Sequence, residues 1–274
     1  MHLFNQRLNS SFANKQVVKV ISGINNFNIN KILKVVHAAQ ISGATYIDIA
    51  ANPSIVSFIK QHTDLPICVS SINSKDLFDC VVQGADLVEI GNFDAFYNNG
   101  INLSPSQILK LAEETRLLLP HTDICVTIPH VLTLDNQIRL AISLEKLGIN
   151  IIQTEGVMAR NKFIGNKLED IIYSDIYNAS SALSSVYAIS NVVNIPVIAS
   201  SGINAFSAPI AFSYGASAIG IRSAISNLNT IYEISCYIEE IMISILTSKS
   251  ILNIYKSLNI EPILHDLQLN ILES

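Results

Sequence analysis

The stretch from Asn194 to Ile225 decides the fold, and it contains two segments of the same form, Ile195-Pro-Val-Ile-Ala-Ser-Ser-Gly-Ile-Asn204 and Gly215-Ala-Ser-Ala-Ile-Gly-Ile-Arg-Ser-Ala-Ile225. Each is an apolar strand that ends in small residues and leads into a predicted helix. Small residues leave backbone N–H groups accessible, and a helix N-terminus adds partial positive charge, so the pair can bind a phosphate. In a (β/α)₈ barrel the loops after the seventh and eighth strands form such a site. The predicted phosphate ligands are Ser201, Gly202, Ile203, Gly220, Arg222 and Ser223.

The same alternation of a short β-branched run, a polar or glycine turn and an amphipathic helix recurs along the chain. Before the two strands of the opening stretch, the predicted strands are Val17–Ser22, Ala44–Ala50, Pro66–Ser71, Ala85–Gly91, Asp123–Pro129 and Asn150–Glu155. About eight such units in 274 residues predict a parallel sheet with right-handed crossovers that closes into a barrel. An open doubly wound sheet is the alternative, and the absence of Gly-x-Gly-x-x-Gly after the first strand counts against it.

The domain organisation predicted from this pattern is a single TIM-like (β/α)₈ barrel over residues 1–248. A short N-terminal segment is expected to form a helix that closes the bottom of the barrel. Residues 249–274 are expected to form a helical extension that packs on the barrel or on a partner chain, as in a homo-oligomer.

Composition excludes several classes of partner. Hydrophobic residues make up 49% of the chain and charged residues 14%, as expected for a large buried core with parallel strands. A net charge of −5 without a Lys/Arg cluster makes nucleic acid an unsuitable partner. Mean hydropathy is +0.39, yet no apolar run reaches the roughly 18 residues of a membrane span. The four cysteines show neither Cys-x-x-Cys nor zinc-like spacing, so free thiols and no linear metal site are predicted, which leaves open ligands that converge from distant strands.

Side chains alternate along a barrel strand, so the polar set must face the lumen if the apolar set meets the helices. This assigns Lys19, Asp48 and Glu89 to the interior. An amine and two carboxylates in a narrow space must pair or shift their pKa values. One interpretation is a buried ion-pair network that fills the barrel. The other is catalysis, with Glu89 or Asp48 as general base and Lys19 as electrophile or, when deprotonated, as Schiff-base nucleophile.

Two further residues are expected at the mouth of the barrel. Glu155 follows the sixth strand and is either a catalytic carboxylate or a solvated loop residue. His130 follows the fifth strand and is a candidate acid/base group at the same end.

Four motifs carry a resemblance to a known family: Val88-Glu-Ile-Gly-Asn-Phe-Asp-Ala-Phe-Tyr97, Val126-Thr-Ile-Pro-His130, Ile151-Ile-Gln-Thr-Glu-Gly156 and Ala199-Ser-Ser-Gly-Ile203. With them the chain resembles a family of conserved hypothetical proteins encoded in algal plastid genomes and in cyanobacteria. The resemblance implies a βα barrel located in the plastid, in the stroma, and it supplies no catalytic residue. The lack of a clear transit peptide is what an organelle-encoded chain would show.

More distantly, the ends of the seventh and eighth strands look like those of phosphate-binding barrels. Those often read Gly-Ser or Gly-Thr where this chain has Arg222-Ser223. The arginine removes a glycine that would permit close backbone approach. It either pairs with the phosphate directly or marks a site that has been lost.

Three hypotheses for function follow. The first is an isomerase, epimerase or lyase that acts on a small phosphorylated metabolite without a metal. The second is a non-catalytic protein of the same fold that binds a metabolite or nucleotide phosphate as a regulator. The third is a protein that binds flavin mononucleotide (FMN) as cofactor, because the FMN phosphate would suit the same site.

Overall fold

The computed structural model describes residues 3–91, 93–97, 100, 102–156 and 168–257. Within them the strands are β1 (Val17–Gly23), β2 (Tyr46–Ala50), β3 (Ile67–Ser71), β4 (Leu87–Ile90), β5 (Asp123–Ile128), β6 (Ile151–Thr154), β7 (Val197–Ser200) and β8 (Ala218–Ile221). The helices are α1 (Gln6–Ala13), α2 (Ile29–Ile41), α3 (Pro53–Lys60), α4 (Ser74–Val82), α5 (Asp94–Tyr97), α6 (Pro105–Leu118), α7 (Leu134–Lys146), α8 (Leu168–Ser190), α9 (Ser207–Ser213) and α10 (Ile231–Ser257).

The strands pair in parallel and in chain order, and β8 pairs with β1 to close the barrel. At the closure Lys19 is in register with Gly220. The predicted (β/α)₈ barrel is therefore confirmed, and the open doubly wound alternative is wrong.

Two strands, β2 and β4, begin later than predicted because the residues expected to start them form hydrogen bonds with the end of the preceding helix. The backbone N–H of Ala44 donates to Ala39 in α2, and that of Ala85 donates to Cys80 in α4. Both residues were predicted to begin strands, but their N–H groups satisfy the last carbonyls of the preceding helix instead.

The helices begin where polar residues cap them. Asn28, Asn52 and Asn73 accept hydrogen bonds from backbone N–H groups in the first turn of α2, α3 and α4. Ser104 and Gln107 form a reciprocal capping box at the start of α6, with a proline at its first position.

Two apolar clusters result. The larger lies between the outward faces of the strands and the helices, with residues such as Val20, Ile47 and Val88. The smaller fills the lower lumen, where Leu8 and Phe12 of α1 pack with inward-facing side chains of the strands. Helix α1 thus closes the bottom of the barrel, as predicted from the sequence.

The N-terminal segment is also held by hydrogen bonds. The Asp123 carboxylate accepts bonds from the backbone N–H groups of Phe4 and Asn5, at 3.0 and 2.9 Å. At the other end of the chain, α10 continues without a break from residue 248 to Ser257, and residues 258–274 lie outside the described part. The division at 248 stays a prediction. Among the described helices, none is both long and apolar enough to cross a membrane.

Candidate active site

A cavity of about 200 Å³ opens at the C-terminal ends of the strands, on the side of the barrel formed by β5 to β8 and β1. Its walls contain all of the predicted phosphate ligands, Ser201, Gly202, Ile203, Gly220, Arg222 and Ser223. Glu155 lines the same cavity, as do Thr127 and Gln153. The structure therefore brings one of the predicted catalytic carboxylates together with all six residues predicted to bind phosphate.

The loop after β7 has an unusual backbone. Ser201 and the glycine that follows it both adopt left-handed conformations, with φ of 74° and 70°. Such a conformation is rare for a residue with a Cβ, and successive backbone N–H groups in a turn can form a concavity that binds an anion. The loop is fixed further along by Asn204, whose side-chain oxygen accepts bonds from the backbone N–H groups of Phe206 and Ser207, each at 3.0 Å.

The expected helix N-termini are largely missing from this site. Helix α9 has only seven residues, and a run of turns separates the end of β8 from α10, which starts at Ile231. The helix predicted after β8 is present as α10, but it begins at Ile231, well beyond the end of the strand at Ile221. Any anion bound here would depend on loop N–H groups and on Arg222, because no helix of useful length points at the cavity from β8.

The Arg222 side chain lies across Gly23 at the end of β1. A Cβ built on Gly23 would be 3.2 Å from Nε of Arg222, and Gly23 has a φ of 108°. Glycine at this position supplies both the backbone conformation and the room for the guanidinium. Arg222 stands where phosphate-binding barrels often have a glycine, and Gly23 on the neighbouring strand provides the space for its side chain.

The predicted lumen residues form a compact cluster below the cavity. Nζ of Lys19 lies 3.0 Å from Oδ2 of Asp48 and also contacts Oε2 of Glu89. The side chains of all three are at most 1% exposed. Ser70 donates to the other oxygen of Asp48 at 2.6 Å.

The charges of this cluster depend on one another. Burial opposes the charge on Lys19, but the carboxylates of Asp48 and Glu89 outweigh it and raise the pKa of the amine well above its ordinary value. Burial raises the pKa of Glu89, with Asp48 adding to the rise and Lys19 opposing it. Lys19 is therefore a charged ammonium group, which the carboxylates of Asp48 and Glu89 stabilise.

The same cluster includes three groups that could ligate a metal. Ligand atoms of Asp48, Cys68 and Glu89 lie within 4.8 Å of one another. However, the Lys19 ammonium already supplies a cation to both carboxylates, and burial raises the pKa of the Cys68 thiol well above its ordinary value. Because the ammonium already pairs with both carboxylates, this set does not suit a second cation.

Thr127 and Gln153 separate the cluster from the cavity. Oε1 of Gln153 accepts a hydrogen bond from Lys19 at 2.9 Å, and its Nε2 donates to Glu89 at 2.8 Å. Oγ1 of Thr127 donates to Glu89 at 3.1 Å. The catalytic interpretation requires the cluster to reach a ligand, but these two polar side chains, not Glu89 or Lys19, line the cavity.

Glu155 belongs to a second polar group at the rim. Its Oε2 lies 2.9 Å from Nδ1 of His130 and accepts a bond from the His130 backbone N–H at 3.2 Å. The hydroxyl of Tyr97, in α5, donates to the same oxygen at 2.5 Å. The ring of Tyr97 meets the imidazole edge to face, with 5.1 Å between centroids.

Tyr97 was not found from the sequence because its helix lies in the long segment after β4, which shows no helical periodicity. The only available signal was its place in the motif that ends at this tyrosine. His130 and Glu155 were both expected at the mouth, but nothing in their spacing indicated that they would share a hydrogen bond.

Comparisons with known proteins agree with this architecture. A family model described as "Protein of unknown function (DUF561)" matches residues 3–251, so the chain belongs to this family. The chain is 54% identical over 258 residues to "Uncharacterized protein ycf23" of Antithamnion sp., covering 93% of this chain and 92% of the relative. It is 44% identical over 236 residues to the protein of the same name from Pyropia yezoensis, covering 86% and 85%. These relatives are encoded in algal plastid genomes, which confirms the resemblance and indicates a plastid location.

Solved structures share the fold at low sequence identity. Thiamine phosphate pyrophosphorylase from Pyrococcus furiosus superposes with a TM-score of 0.56 at 18% identity, over 86% of this chain and 98% of that one. (S)-3-O-geranylgeranylglyceryl phosphate synthase from Thermoplasma acidophilum, solved with its substrate sn-glycerol-1-phosphate, gives 0.57 at 15% identity, over 89% and 98%. At these identities the likeness is one of fold.

Proposed function

We propose that this member of the DUF561 family binds a small phosphorylated metabolite in the cavity and transforms it by metal-independent acid/base chemistry in the plastid stroma. The observation that carries the proposal is a single cavity that joins Ser201–Ile203, Arg222 and Glu155. It combines groups suited to an anion with a carboxylate suited to accepting a proton. One barrel of the same fold is a thiamine phosphate pyrophosphorylase and another was solved with sn-glycerol-1-phosphate, which supports the phosphate assignment.

The phosphate end of the ligand is assigned to β7 and β8. The left-handed turn at Ser201 and Gly202 exposes backbone N–H groups, and Arg222 contributes a planar set of donors. Without a helix N-terminus after β8, the arginine supplies the positive charge that the loop lacks. This favours the interpretation in which Arg222 preserves the phosphate site over the one in which it abolishes it.

The general base is assigned to Glu155, ahead of Glu89 and Asp48. Glu155 lines the cavity, whereas Glu89 lies beneath Thr127 and Gln153. Its Oε2 is held by His130 and Tyr97, which orients the carboxylate toward the ligand. Orientation of a catalytic group by neighbouring hydrogen bonds is the usual way to align a proton acceptor.

The arrangement of Lys19 favours acid/base chemistry over a Schiff base. An amine must lose its proton and reach a carbonyl carbon before it can attack. Lys19 is fully buried, its pKa is raised by two carboxylates, and it does not line the cavity. Its role in this proposal is to hold Gln153.

Two measurements test the proposal. Isothermal titration with inorganic phosphate and a panel of phosphorylated hydroxyaldehydes and hydroxyketones should show binding. NMR in D₂O should then show exchange of a carbon-bound hydrogen in the accepted compound. Glu155→Gln should slow this exchange by about 10² to 10⁴ without changing phosphate affinity. Glu239→Gln, on the exposed face of α10, serves as the matched control.

A non-catalytic binding protein is the competing outcome. It predicts that phosphorylated compounds bind and that neither wild type nor Glu155→Gln exchanges or converts any of them. Failure of every phosphorylated compound and of inorganic phosphate to bind would overturn both functions.

A further inference from the structure

The floor of the cavity consists of two side chains on neighbouring strands. Thr127 of β5 is in register with Gln153 of β6, and both line the cavity. Directly beneath them lie Lys19 and Glu89, which have no exposed surface. The floor therefore separates a ligand from a buried ion pair.

The ion pair fixes the orientation of the Gln153 amide. Its oxygen accepts from the Lys19 ammonium at 2.9 Å, and its nitrogen donates to Glu89 at 2.8 Å. A flipped amide would set an NH₂ group against an ammonium and a carbonyl oxygen against a carboxylate. Both contacts would be repulsive, so only one orientation is stable.

Counting donors shows what the floor can offer a ligand. The second N–H of Gln153 donates to Oγ1 of Thr127 at 3.1 Å, so both amide hydrogens are used. The single hydroxyl hydrogen of Thr127 is donated to Glu89 at 3.1 Å. What remains on Gln153 Oε1 and Thr127 Oγ1 are lone pairs. The floor can accept hydrogen bonds from a ligand but cannot donate them.

We infer that the ligand is a polyhydroxylated monophosphate of about three to five carbons, with hydroxyl groups at the end opposite the phosphate. This inference rests on the proposed function and names its substrate class. A hydroxyl can donate to Thr127 and Gln153, whereas a carboxylate or carbonyl at the floor would meet only acceptors.

The size and lining of the cavity support the same class. About 200 Å³ is below the range of roughly 300–1,000 Å³ typical of pockets for larger ligands. The described residues that line it include no aromatic ring on which a flavin or nucleobase could stack. The cavity therefore suits a short polyol phosphate better than FMN.

The test compares ligands that differ only at the distal end. Titration calorimetry on the full chain would use glycerol 3-phosphate, propyl phosphate, 3-phosphoglycerate and inorganic phosphate. Each hydrogen bond accepted by the floor should contribute about three- to tenfold in affinity. Glycerol 3-phosphate should accordingly bind about tenfold or more tightly than propyl phosphate, and more tightly than 3-phosphoglycerate.

Variants of Thr127 locate the effect. Thr127→Val has a similar shape but no acceptor, so it should reduce the preference for glycerol 3-phosphate over propyl phosphate by about three- to tenfold. Thr127→Ser keeps the hydroxyl and should retain the preference. Affinity for inorganic phosphate should be the same in both.

The outcomes separate this inference from the proposed function. If propyl phosphate binds wild type as tightly as glycerol 3-phosphate does, or if 3-phosphoglycerate binds more tightly, the substrate class is wrong while phosphate binding stands. The wild-type comparison decides this even if Thr127→Val does not fold. If no phosphate compound binds, the proposed function itself has failed.

Discussion

Gln153 accepts a hydrogen bond from Lys19, with 2.9 Å between Oε1 and Nζ, so a residue that lines the cavity is held by an ammonium that the cavity does not reach. The buried ion pair and the candidate site are therefore neighbouring layers of one lumen. The two interpretations drawn from the sequence, a structural pair and a catalytic group, are not exclusive, because a pair that fills the barrel can also orient the floor of the site.

Replacing Lys19 by methionine should lower stability severely. Asp48 and Glu89 would remain buried without their cation, and removal of one partner of a buried pair costs about 3–5 kcal/mol. Glu89→Gln is the comparison variant, because Lys19 then keeps Asp48 at 3.0 Å and a smaller loss of about 1–3 kcal/mol is expected. Urea unfolding at neutral pH measures both. Equal stability of Lys19→Met and wild type would show that the amine is not paired.

About eight alternating strand–helix units predicted the barrel, and the alternation of polar and apolar residues along each strand then assigned the lumen-facing side chains. Lys19, Asp48 and Glu89 all face inward, as the alternation required. It did not predict depth, because periodicity gives the side of a strand and not the height at which a long side chain ends. The catalytic interpretation placed Glu89 at the mouth, whereas its carboxylate contacts Lys19 below Thr127 and Gln153, which is the contact that the ion-pair interpretation expected.

The site was predicted less completely for two physical reasons. Positive φ at Ser201 cannot be read from a serine, since this conformation is uncommon for any residue with a side chain. The cluster of Tyr97, His130 and Glu155 depends on tertiary contacts between the segments that follow β4, β5 and β6. Neither propensity nor spacing contains that information.

Gly202→Ala should weaken phosphate binding through the backbone. Gly202 has a φ of 70°, so alanine there should cost about 1–2 kcal/mol of stability and disturb the N–H groups of the turn. Gly148→Ala is a matched control, because Gly148 also has a positive φ of 85° but lies at the end of α7, with nothing within 4 Å of an added Cβ. Calorimetry with inorganic phosphate should show a loss of about tenfold or more only for Gly202→Ala. Equal phosphate affinities in the two variants would place the anion site elsewhere.

Stability should fall at alkaline pH because buried thiols resist ionisation. Burial raises the pKa of Cys80 to about 12 from an ordinary value of 9.0, with Asp76 and Asp79 adding to the rise. The folded pKa is higher than the unfolded one, so the stabilising effect is complete below pH 9 and is lost as pH rises toward 12. Over that range each such thiol lowers the free energy of unfolding by about 1.4 kcal/mol per pH unit.

Urea unfolding at about pH 8, 9 and 10 measures this slope. Cys80→Ala should make the fall in the free energy of unfolding with pH shallower by roughly the contribution of one thiol. The smaller side chain also lowers stability, but by an amount that does not depend on pH and so does not affect the slope. Cys236→Ala removes an exposed thiol and should leave the slope of wild type. A Cys80→Ala slope equal to that of wild type would contradict the burial effect.

Arg222 should matter through its geometry as well as its charge. Arg222→Ala is expected to weaken inorganic phosphate binding by about 10- to 100-fold, because a charge-assisted bond is worth about 1.5–3 kcal/mol. Arg139→Ala removes the same charge from an exposed position on α7, so a merely long-range effect of net charge would appear in both variants.

Arg222→Lys keeps the charge but loses the planar fork, and it should bind phosphate with intermediate affinity. Gly23 leaves room for the Arg222 guanidinium. If Arg222 binds the ligand, calorimetry at constant ionic strength should give phosphate affinities that fall from wild type to Arg222→Lys to Arg222→Ala. Equal effects of Arg222→Ala and Arg139→Ala on phosphate affinity would mean that Arg222 does not contact the phosphate and that the predicted phosphate site has been lost.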